Sequence, residues 1–208
     1  MISGTIESDN HADTWCFGPN FVMDHFTGQT CSVSGYNKKM QSTKMCIGTG
    51  LTMWTDPTSG KLQLLQVNQG LDMRHILDHT LANPNQCRSF GVSWCDDVWD
   101  EHCSLGIECK NLDLSIPFEM EGSTALFRTR TPKEDEIRDH YDDRIILTDS
   151  NTWDPVGLAT PRKVSVTSNT SAVHKIQQKV PVEGFRVCAT MERDAGYIED
   201  GGDQQLLS

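Results

Sequence analysis

The chain has 208 residues, a length that fits one domain of ordinary size or one domain with a tail. Its net charge of −11 argues against a protein whose main task is to bind nucleic-acid phosphates. Hydrophobic residues make up 37% of the chain, which is enough for a core, but no apolar run is long enough to span a membrane. We therefore expect neither a membrane partner nor direct contact with nucleic acid.

The eight cysteines are too few for a small disulfide scaffold, and the first residues lack the basic and apolar segments of a secretion signal. We therefore expect reduced thiols and a cytoplasmic protein. The cluster formed by Cys95, His102, Cys103 and Cys109 lacks Cys-x-x-Cys spacing, so the sequence predicts no metal site. We interpret these cysteines as small buried thiols near Trp94 and Trp99, and we expect no cofactor.

The first part of the chain has the pattern of short strands separated by turns that contain glycine. The turn sequence DPTSG at 56–60 lies between two strand-like segments, 47–54 and 61–68, and this arrangement predicts a β-hairpin. A second, more exposed hairpin is predicted over 33–45, with its turn at Gly35-Tyr36-Asn37.

Further along the chain, residues 112–118 alternate between apolar and polar types, which predicts a half-buried strand. We expect this strand to pair with 124–129. The sequence TPKE at 131–134 has the pattern of a capping threonine followed by a proline at the first helical position, and it predicts a helix over 132–140. A short apolar strand is predicted at 144–148.

After residue 155 the apolar residues become isolated among polar ones. The sequence therefore predicts an all-β domain over 1–155, with one short helix, followed by a disordered linker or tail over 156–208. Acidic residues concentrate in two stretches of the predicted domain: 92–121 has eight acidic residues and one basic residue, and 131–155 has eight and three. We interpret both stretches as solvated faces.

A candidate catalytic aspartate, Asp9, lies in the sequence IESDNHADT at 6–14. Aspartic proteases place two carboxylates so close together that they share one proton, and these activate a water molecule. Their usual motif is a strand that ends in Asp-Thr/Ser-Gly-Ala, and here Asp9 and Ala12 fit that pattern. A cysteine nucleophile is an alternative by composition alone, at Cys16 or Cys87 with His25 or His79.

Several further segments occur in a fixed order along the chain. They are ADTWCFGPNF, CSVSGY, IGTGLTMWTDPTSGKLQLLQVNQGL, HTLANPNQCRSFG, SIPFEMEGSTALF, RTPKEDEI and TDSNTWDP. In this order they resemble the protease segment of copia-type retrotransposon polyproteins. The resemblance covers about residues 6–155.

The resemblance implies a retropepsin-like closed barrel with a flap hairpin that closes over a bound peptide. It implies an aspartic endopeptidase that processes the element's own polyprotein as a homodimer, with one catalytic residue, Asp9, from each chain. The flap would lie within 33–45. The substrate-binding residues that it implies are Asn10, His11, Ala12, Gly35 and Tyr36.

Two residues and one segment depart from the retropepsin pattern. The residue after the catalytic aspartate is normally Thr or Ser, whose hydroxyl bonds across the dimer axis, and here it is Asn10. The next residue is normally glycine and here is His11. The hydrophobic-hydrophobic-glycine element that braces the active-site loop is replaced by TLANP at 80–84. These departures leave open an alternative, a catalytically silent, protease-derived domain that serves as an interaction or folding module.

Overall fold

A computed structural model describes residues 1–34, 42–109 and 114–155 of the chain. These residues are mostly strand, with two short helices, so the prediction of an all-β protein is confirmed at the level of fold class. The predicted tail at 156–208 lies outside the described residues, as do Gly35 and Tyr36. Among the described residues, no helix is long and apolar enough to cross a membrane.

Twelve strands and two helices follow one another along the described part of the chain. They are β1 (Ser3–Ser8), β2 (Cys16–Phe17), β3 (Val22–Val33), β4 (Thr43–Thr55), β5 (Leu62–Asp72), β6 (Thr80–Ala82), α1 (Pro84–Phe90), β7 (Ser93–Cys95), β8 (Gly106–Cys109), β9 (Leu114–Pro117), β10 (Glu119–Glu121), β11 (Thr124–Arg130), α2 (Glu134–His140) and β12 (Ile145–Ile146).

Nine of these strands form one sheet, in the order β10-β11-β1-β6-β2-β5-β4-β3, with β12 parallel to β5. Strand β11 also pairs with β4, where Arg130 lies opposite Met53. The path of strand pairings that leads from β11 through β1, β6, β2 and β5 therefore returns to β11 by way of β4. Strands β7, β8 and β9 form a small antiparallel sheet of their own.

The predicted hairpin across 56–60 is confirmed, since β4 and β5 pair antiparallel on either side of that turn. The Asp56 carboxylate caps the turn by accepting a hydrogen bond from the Thr58 backbone N–H at 2.8 Å, and the Asp56 N–H donates to the Lys61 carbonyl at 2.9 Å. Gly60 has a φ of 72°, a left-handed conformation that glycine adopts without a steric penalty.

The second predicted hairpin lies at the far end of β3 and β4. These two strands pair antiparallel from Val22 opposite Leu51 to Val33 opposite Thr43. The predicted turn falls in 35–41, outside the described residues.

The expected pairing of 112–118 with 124–129 is wrong. Strand β9 pairs with β8 in the small sheet, and β11 pairs with the short strand β10 instead. The chain passes from one sheet to the other at Phe118, whose N–H donates to the Leu105 carbonyl at 3.2 Å. An alternating pattern indicates a strand but does not identify its partner, which explains the error.

The predicted cap of the second helix is also wrong, although the helix itself is present. The helix begins at Glu134 with Lys133 as its N-cap, and the Lys133 N–H donates to the Glu136 carboxylate at 2.9 Å. Thr131 is instead bound to the start of the chain. Its hydroxyl accepts from the Ile2 N–H, and its own N–H donates to the Ile2 carbonyl, both at 2.8 Å.

A single aromatic core joins the two sheets. Trp15 and Phe17 are fully buried, Phe17 as part of β2, and Phe17 stacks on Phe21 with 4.7 Å between ring centroids. Trp94 of the small sheet packs edge-on against Trp15 at 6.0 Å and also contacts Phe118 at 5.0 Å. This shared core fixes the small sheet beside the segment that carries Asp9.

Candidate active site

Asp9 directly follows β1, at the point where this strand runs parallel to β6. Ser8 lies opposite Ala82, and the Asp9 N–H donates to the Ala82 carbonyl at 2.9 Å. The chain then folds back into a tight loop, because the Asp9 carboxylate accepts from the His11 N–H at 2.8 Å and the Asp9 carbonyl accepts from the Ala12 N–H at 3.3 Å. Asp9 lies at the end of a strand, as the sequence predicts. Its side chain is half-buried and therefore accessible to solvent.

The other predicted site residues of this loop differ in their exposure. Asn10 and His11 are exposed, and Ala12 is half-buried beside Asp9. The Asn10 side chain turns back to its own chain, where Nδ2 donates to Asp96 Oδ2 at 2.9 Å.

The strand β6 braces this loop even though TLANP lacks the glycine of the retropepsin pattern. Thr80 lies opposite Ile6 of β1 and is fully buried. Its hydroxyl accepts from the Gly18 N–H at 2.9 Å and donates to Asn20 Oδ1 at 2.7 Å. Because these hydrogen bonds are buried and complete, the replacement sequence forms an ordered support for β1.

The helix α1 follows β6 and was not predicted. Asn83 is its N-cap, with a side-chain oxygen that accepts from the Asn85 N–H at 2.8 Å and the Gln86 N–H at 3.3 Å, and Pro84 occupies the first turn. The helix ends at Gly91, which has a φ of 93°. The pair Asn83-Pro84 is the signal from which this helix could have been predicted, since both residues favour a helix start.

Gln86 of α1 connects the end of the Asp9 loop to β5. Its side chain is buried, and Oε1 accepts from the Thr14 hydroxyl at 3.1 Å and the Trp15 N–H at 3.2 Å. Its Nε2 donates to the carbonyls of Asn68 at 3.0 Å and Gln69 at 3.3 Å. One amide therefore uses both its donor and its acceptor to hold two backbone segments together.

Asp96 holds the beginning of the same loop. Its Oδ2 accepts from the Ser8 hydroxyl at 2.6 Å and from Asn10 Nδ2 at 2.9 Å, and its Oδ1 accepts from the Arg88 guanidinium at 2.9 Å. The Asp96 side chain is only 10% exposed, so the prediction that 92–121 is a solvated face is wrong at this residue. A count of charges along the chain does not reveal that one acidic residue has three partners.

The far side of the loop is covered by Trp153, whose indole Nε1 donates to the Asp13 carbonyl at 2.7 Å. Burial raises the pKa of the Asp13 carboxyl above its usual value. Burial also raises the pKa of Cys16 to about 12, and the charges of Cys31, Asp9 and Asp13 add to that increase. The carboxylates of the Asp9 loop therefore lie close enough to Cys16 to disfavour the ionised form of its thiol.

The same pKa values disfavour the cysteine nucleophile. Burial raises the pKa of Cys87 to about 12 as well, so both candidate thiols remain protonated at neutral pH and are poor nucleophiles. The candidate bases have other partners. His25 contacts Asp24 at 2.9 Å, and His79 contacts Glu7 at 3.6 Å as well as Asp78.

The cysteines of the acidic stretch match the expectation of buried thiols only in part, since Cys95 is buried, Cys109 is half-buried and Cys103 is exposed. They are also expected to be reduced, and Cys109 is indeed a free thiol. Cys95 and Cys103 form a disulfide, so that prediction is wrong for this pair. Of the two tryptophans near these cysteines, Trp94 is buried, whereas Trp99 is 87% exposed on the loop that the disulfide closes. Within 1–34, 42–109 and 114–155, no group of three or more His, Cys, Asp or Glu side chains is arranged to hold a metal ion.

The loop thus presents a half-buried carboxylate, Asp9, whose backbone is fixed on both sides. A carboxylate that is held in this way can accept a proton from a water molecule, which is the chemistry of a general base. No protein-family model, curated protein or solved structure matches the chain.

Proposed function

We propose that the chain is the retropepsin-like aspartic protease domain of a copia-type retrotransposon polyprotein, and that it cleaves peptide bonds of its own polyprotein. The observation that carries the proposal is the position of Asp9, at the end of β1, on a loop bonded to the parallel strand β6. The motifs that resemble this family also meet at that loop. The NPNQ segment forms the N-cap and the first turn of α1 beside it, and Trp153 of the WDP segment donates to its Asp13 carbonyl.

The reaction requires two carboxylates, and each chain supplies one of them, Asp9. In the homodimer, the two Asp9 side chains would face each other and share one proton, because two carboxyl groups so close together cannot both be ionised. The ionised carboxylate takes a proton from the attacking water, and the protonated one donates to the oxygen of the scissile carbonyl. Cleavage should therefore be fastest at mildly acidic pH.

Asn10, His11 and Ala12 would line the peptide beside Asp9.

Two features of the sheet support a closed barrel and a flap as the finer description of the fold. The pairing of Arg130 with Met53 connects β11 to β4 and so continues the order of strands back to its start. The strands β3 and β4 form a long hairpin whose connection includes Gly35 and Tyr36, at the place proposed for the flap tip.

The test is the cleavage of peptides that span junctions of the parent polyprotein, at mildly acidic pH. Asp9→Asn removes the group that accepts the proton, so the rate should fall by orders of magnitude. Asp13→Asn is the matched control, because it makes the same change four residues away in the same loop. Its loss of cleavage rate should be far smaller. Equal losses in the two variants, or full activity of Asp9→Asn, would contradict the proposal.

A second candidate is a catalytically silent, protease-derived interaction or folding module. The observation that favours it is the hydrogen bond from Asn10 to Asp96, because this amide is then engaged within its own chain and not with the partner loop. Sedimentation combined with the cleavage assay separates the two candidates. A dimer that cleaves supports the protease, whereas a folded protein that cleaves no junction peptide in any form supports the silent module.

A further inference from the structure

We infer that Asp96 is a positioning residue that sets the conformation of the Asp9 loop. The inference rests on the proposed function, since it concerns the same loop. Asp96 lies 88 residues from Ser8 and 86 residues from Asn10, yet it bonds to both. These two residues flank Asp9 on either side. A single carboxylate oxygen therefore fixes the ends of a three-residue segment with the candidate catalytic residue at its centre.

The direction of these hydrogen bonds is fixed by the neighbouring groups. Trp94 Nε1 donates to the Ser8 hydroxyl at 3.1 Å, so the Ser8 proton is left to point toward Asp96 Oδ2 at 2.6 Å. Asn10 presents its Nδ2, which can only donate. An oxygen with two donors directed at it must be an acceptor. A carboxylate side chain is suited to this position because both of its oxygens accept hydrogen bonds.

Asp96 is itself held in place. Arg88 donates to its other oxygen at 2.9 Å and to the Trp94 carbonyl at 3.0 Å, so the guanidinium spans the backbone and the carboxylate of the same segment. The Arg88 and Asp96 side chains are 31% and 10% exposed, respectively. Hydrogen bonds to a charged acceptor in such a sheltered position are stronger than neutral ones. The chain also covalently anchors this segment through the disulfide at Cys95.

Displacement of a catalytic carboxylate by about 1 Å can reduce the rate of a reaction by about a hundredfold without unfolding the protein. Asp96 itself does not contact the peptide in this inference, and it reaches the peptide only through the Asn10 side chain that it holds. Its loss should therefore change kcat more than KM. A residue with a purely structural role would instead lower the amount of folded enzyme, with no specific effect on the loop.

The experiment compares Asp96→Asn with Asp97→Asn. The first variant keeps the size of the side chain but presents an NH2 group to Arg88 or to the two loop donors. Asp97 is an exposed neighbour whose carboxylate accepts only a local bond from the Trp99 N–H at 2.9 Å among the contacts described. We expect Asp96→Asn to lower kcat by about tenfold or more, with a smaller change in KM, and Asp97→Asn to leave both kcat and KM unchanged.

A second measurement keeps the test independent of activity. Amide hydrogen exchange reports on the N–H groups of Asp9 and His11, which are bonded to Ala82 and to the Asp9 carboxylate. Exchange at these two amides should become faster in Asp96→Asn and not in Asp97→Asn, while the exchange of β5 is unchanged. Ser8→Ala provides a milder variant, which removes one of the two loop bonds and should give a smaller effect of the same kind.

The outcomes distinguish this inference from the proposed function. A wild-type protein that cleaves no junction peptide refutes the protease, but faster exchange of the Asp9 and His11 amides in Asp96→Asn would still support the positioning role. If the wild type cleaves, and Asp96→Asn matches Asp97→Asn both in kcat and in exchange, the inference about Asp96 is wrong and the protease proposal stands.

Discussion

The Thr14 hydroxyl and the Gln86 side-chain oxygen lie 3.1 Å apart, although 72 residues separate them in the chain. The same Gln86 amide also binds the backbone of Trp15 on one side and of Asn68 and Gln69 on the other. Gln69 has a φ of 58°, an uncommon conformation for a residue other than glycine, and its carbonyl accepts both from this amide and from Thr14. Gln86 therefore joins the end of the Asp9 loop to β5, in addition to the direct bond from Thr14 to the Gln69 carbonyl.

Gln86→Glu should destabilise the protein strongly, since it retains the acceptor but replaces the NH2 group with a second oxygen. The carbonyls of Asn68 and Gln69 then lose a donor and face a carboxylate. We expect the free energy of unfolding to fall by about 2–4 kcal/mol at pH 7, because buried polar groups lose their partners. Urea denaturation followed by tryptophan fluorescence measures this loss.

The pH dependence provides an internal check on that variant. Burial beside carbonyl acceptors should raise the pKa of the new carboxyl, so the folded state binds its proton more tightly than the unfolded state does. Stability then falls as the pH rises above about 4.3 and recovers below it. Gln29→Glu, an exposed change of the same type, should show almost no loss at either pH. A comparable loss in both variants would contradict the assigned role of Gln86.

A second prediction concerns the ion pair between Arg130 and Glu136. Two guanidinium nitrogens of Arg130 donate to the two Glu136 oxygens, each at 2.7 Å, and the Lys133 N–H donates to the same carboxylate. The Arg130 hydrogen bonds are the largest cause that lowers the pKa of Glu136 to about 2. Because the folded pKa lies below the unfolded one, this stabilisation is complete above about pH 4.5 and is lost as the pH falls toward 2.

Glu136→Gln should therefore lower the free energy of unfolding by about 1–2 kcal/mol at pH 7. The difference from the wild type should shrink below about pH 4.5 and vanish near pH 2. Glu134→Gln changes an exposed residue of the same helix and should have a much smaller effect. Thermal unfolding over this pH range makes the measurement, and a difference that stays constant with pH would show that the ion pair does not contribute in this way.

Local signals were sufficient where both partners of an interaction lie close together in the chain. The β4–β5 hairpin could be predicted because its turn, with Asp56 and Gly60, and both of its strands fall within thirty residues. The position of Asp9 after a strand could be expected from the motif. The start of α2 could not, because the Thr131 backbone and hydroxyl are bound to Ile2, more than a hundred residues away.

The side chains around the Asp9 loop could not be predicted for the same reason. The NPNQCR segment shows a glutamine and an arginine, but nothing in it indicates that Gln86 binds Thr14 or that Arg88 binds Asp96. The parallel pairing of β1 with β6 could not be predicted from the sequence either, since more than seventy residues separate Ser8 from Ala82. Which distant residues meet depends on the tertiary fold, and residue types and their spacing do not specify it.

A third prediction concerns Asn20, a fully buried side chain at the centre of a polar network. Its Oδ1 accepts from the Thr80 hydroxyl and its Nδ2 donates to the Thr129 hydroxyl, both at 2.7 Å. Asn20→Ala leaves both hydroxyls without this partner and opens a small cavity. We expect a loss of about 3 kcal/mol in the free energy of unfolding.

Asn151→Ala is the control for this change, because Asn151 is exposed and its amide bonds only to the nearby Asp149 among the contacts described. Its effect should stay below about 0.5 kcal/mol, as is usual for surface substitutions. Since Thr80 belongs to the strand beside β1, faster amide exchange of β6 in Asn20→Ala would accompany the loss of stability. Equal midpoints of urea denaturation in the two variants would refute the role of the network.

The last prediction concerns the disulfide between Cys95 and Cys103, which are eight residues apart. Cys103→Ser removes this link, and we expect the free energy of unfolding to fall by about 2–3 kcal/mol, because the loop loses a covalent restraint on its unfolded state. A dithiol reductant should lower the melting temperature of the wild type toward that of the variant and leave the melting temperature of the variant nearly unchanged.

Cys46→Ser, which replaces an exposed free thiol, is the control and should melt like the wild type both with and without reductant. Titration of the denatured wild type should find more free thiols after reduction than before it, with Cys95 and Cys103 supplying two of them. If reduction exposes no additional thiols and leaves the melting temperature unchanged, Cys95 and Cys103 are not joined in solution, and the acidic loop that carries Trp99 is held by its hydrogen bonds alone.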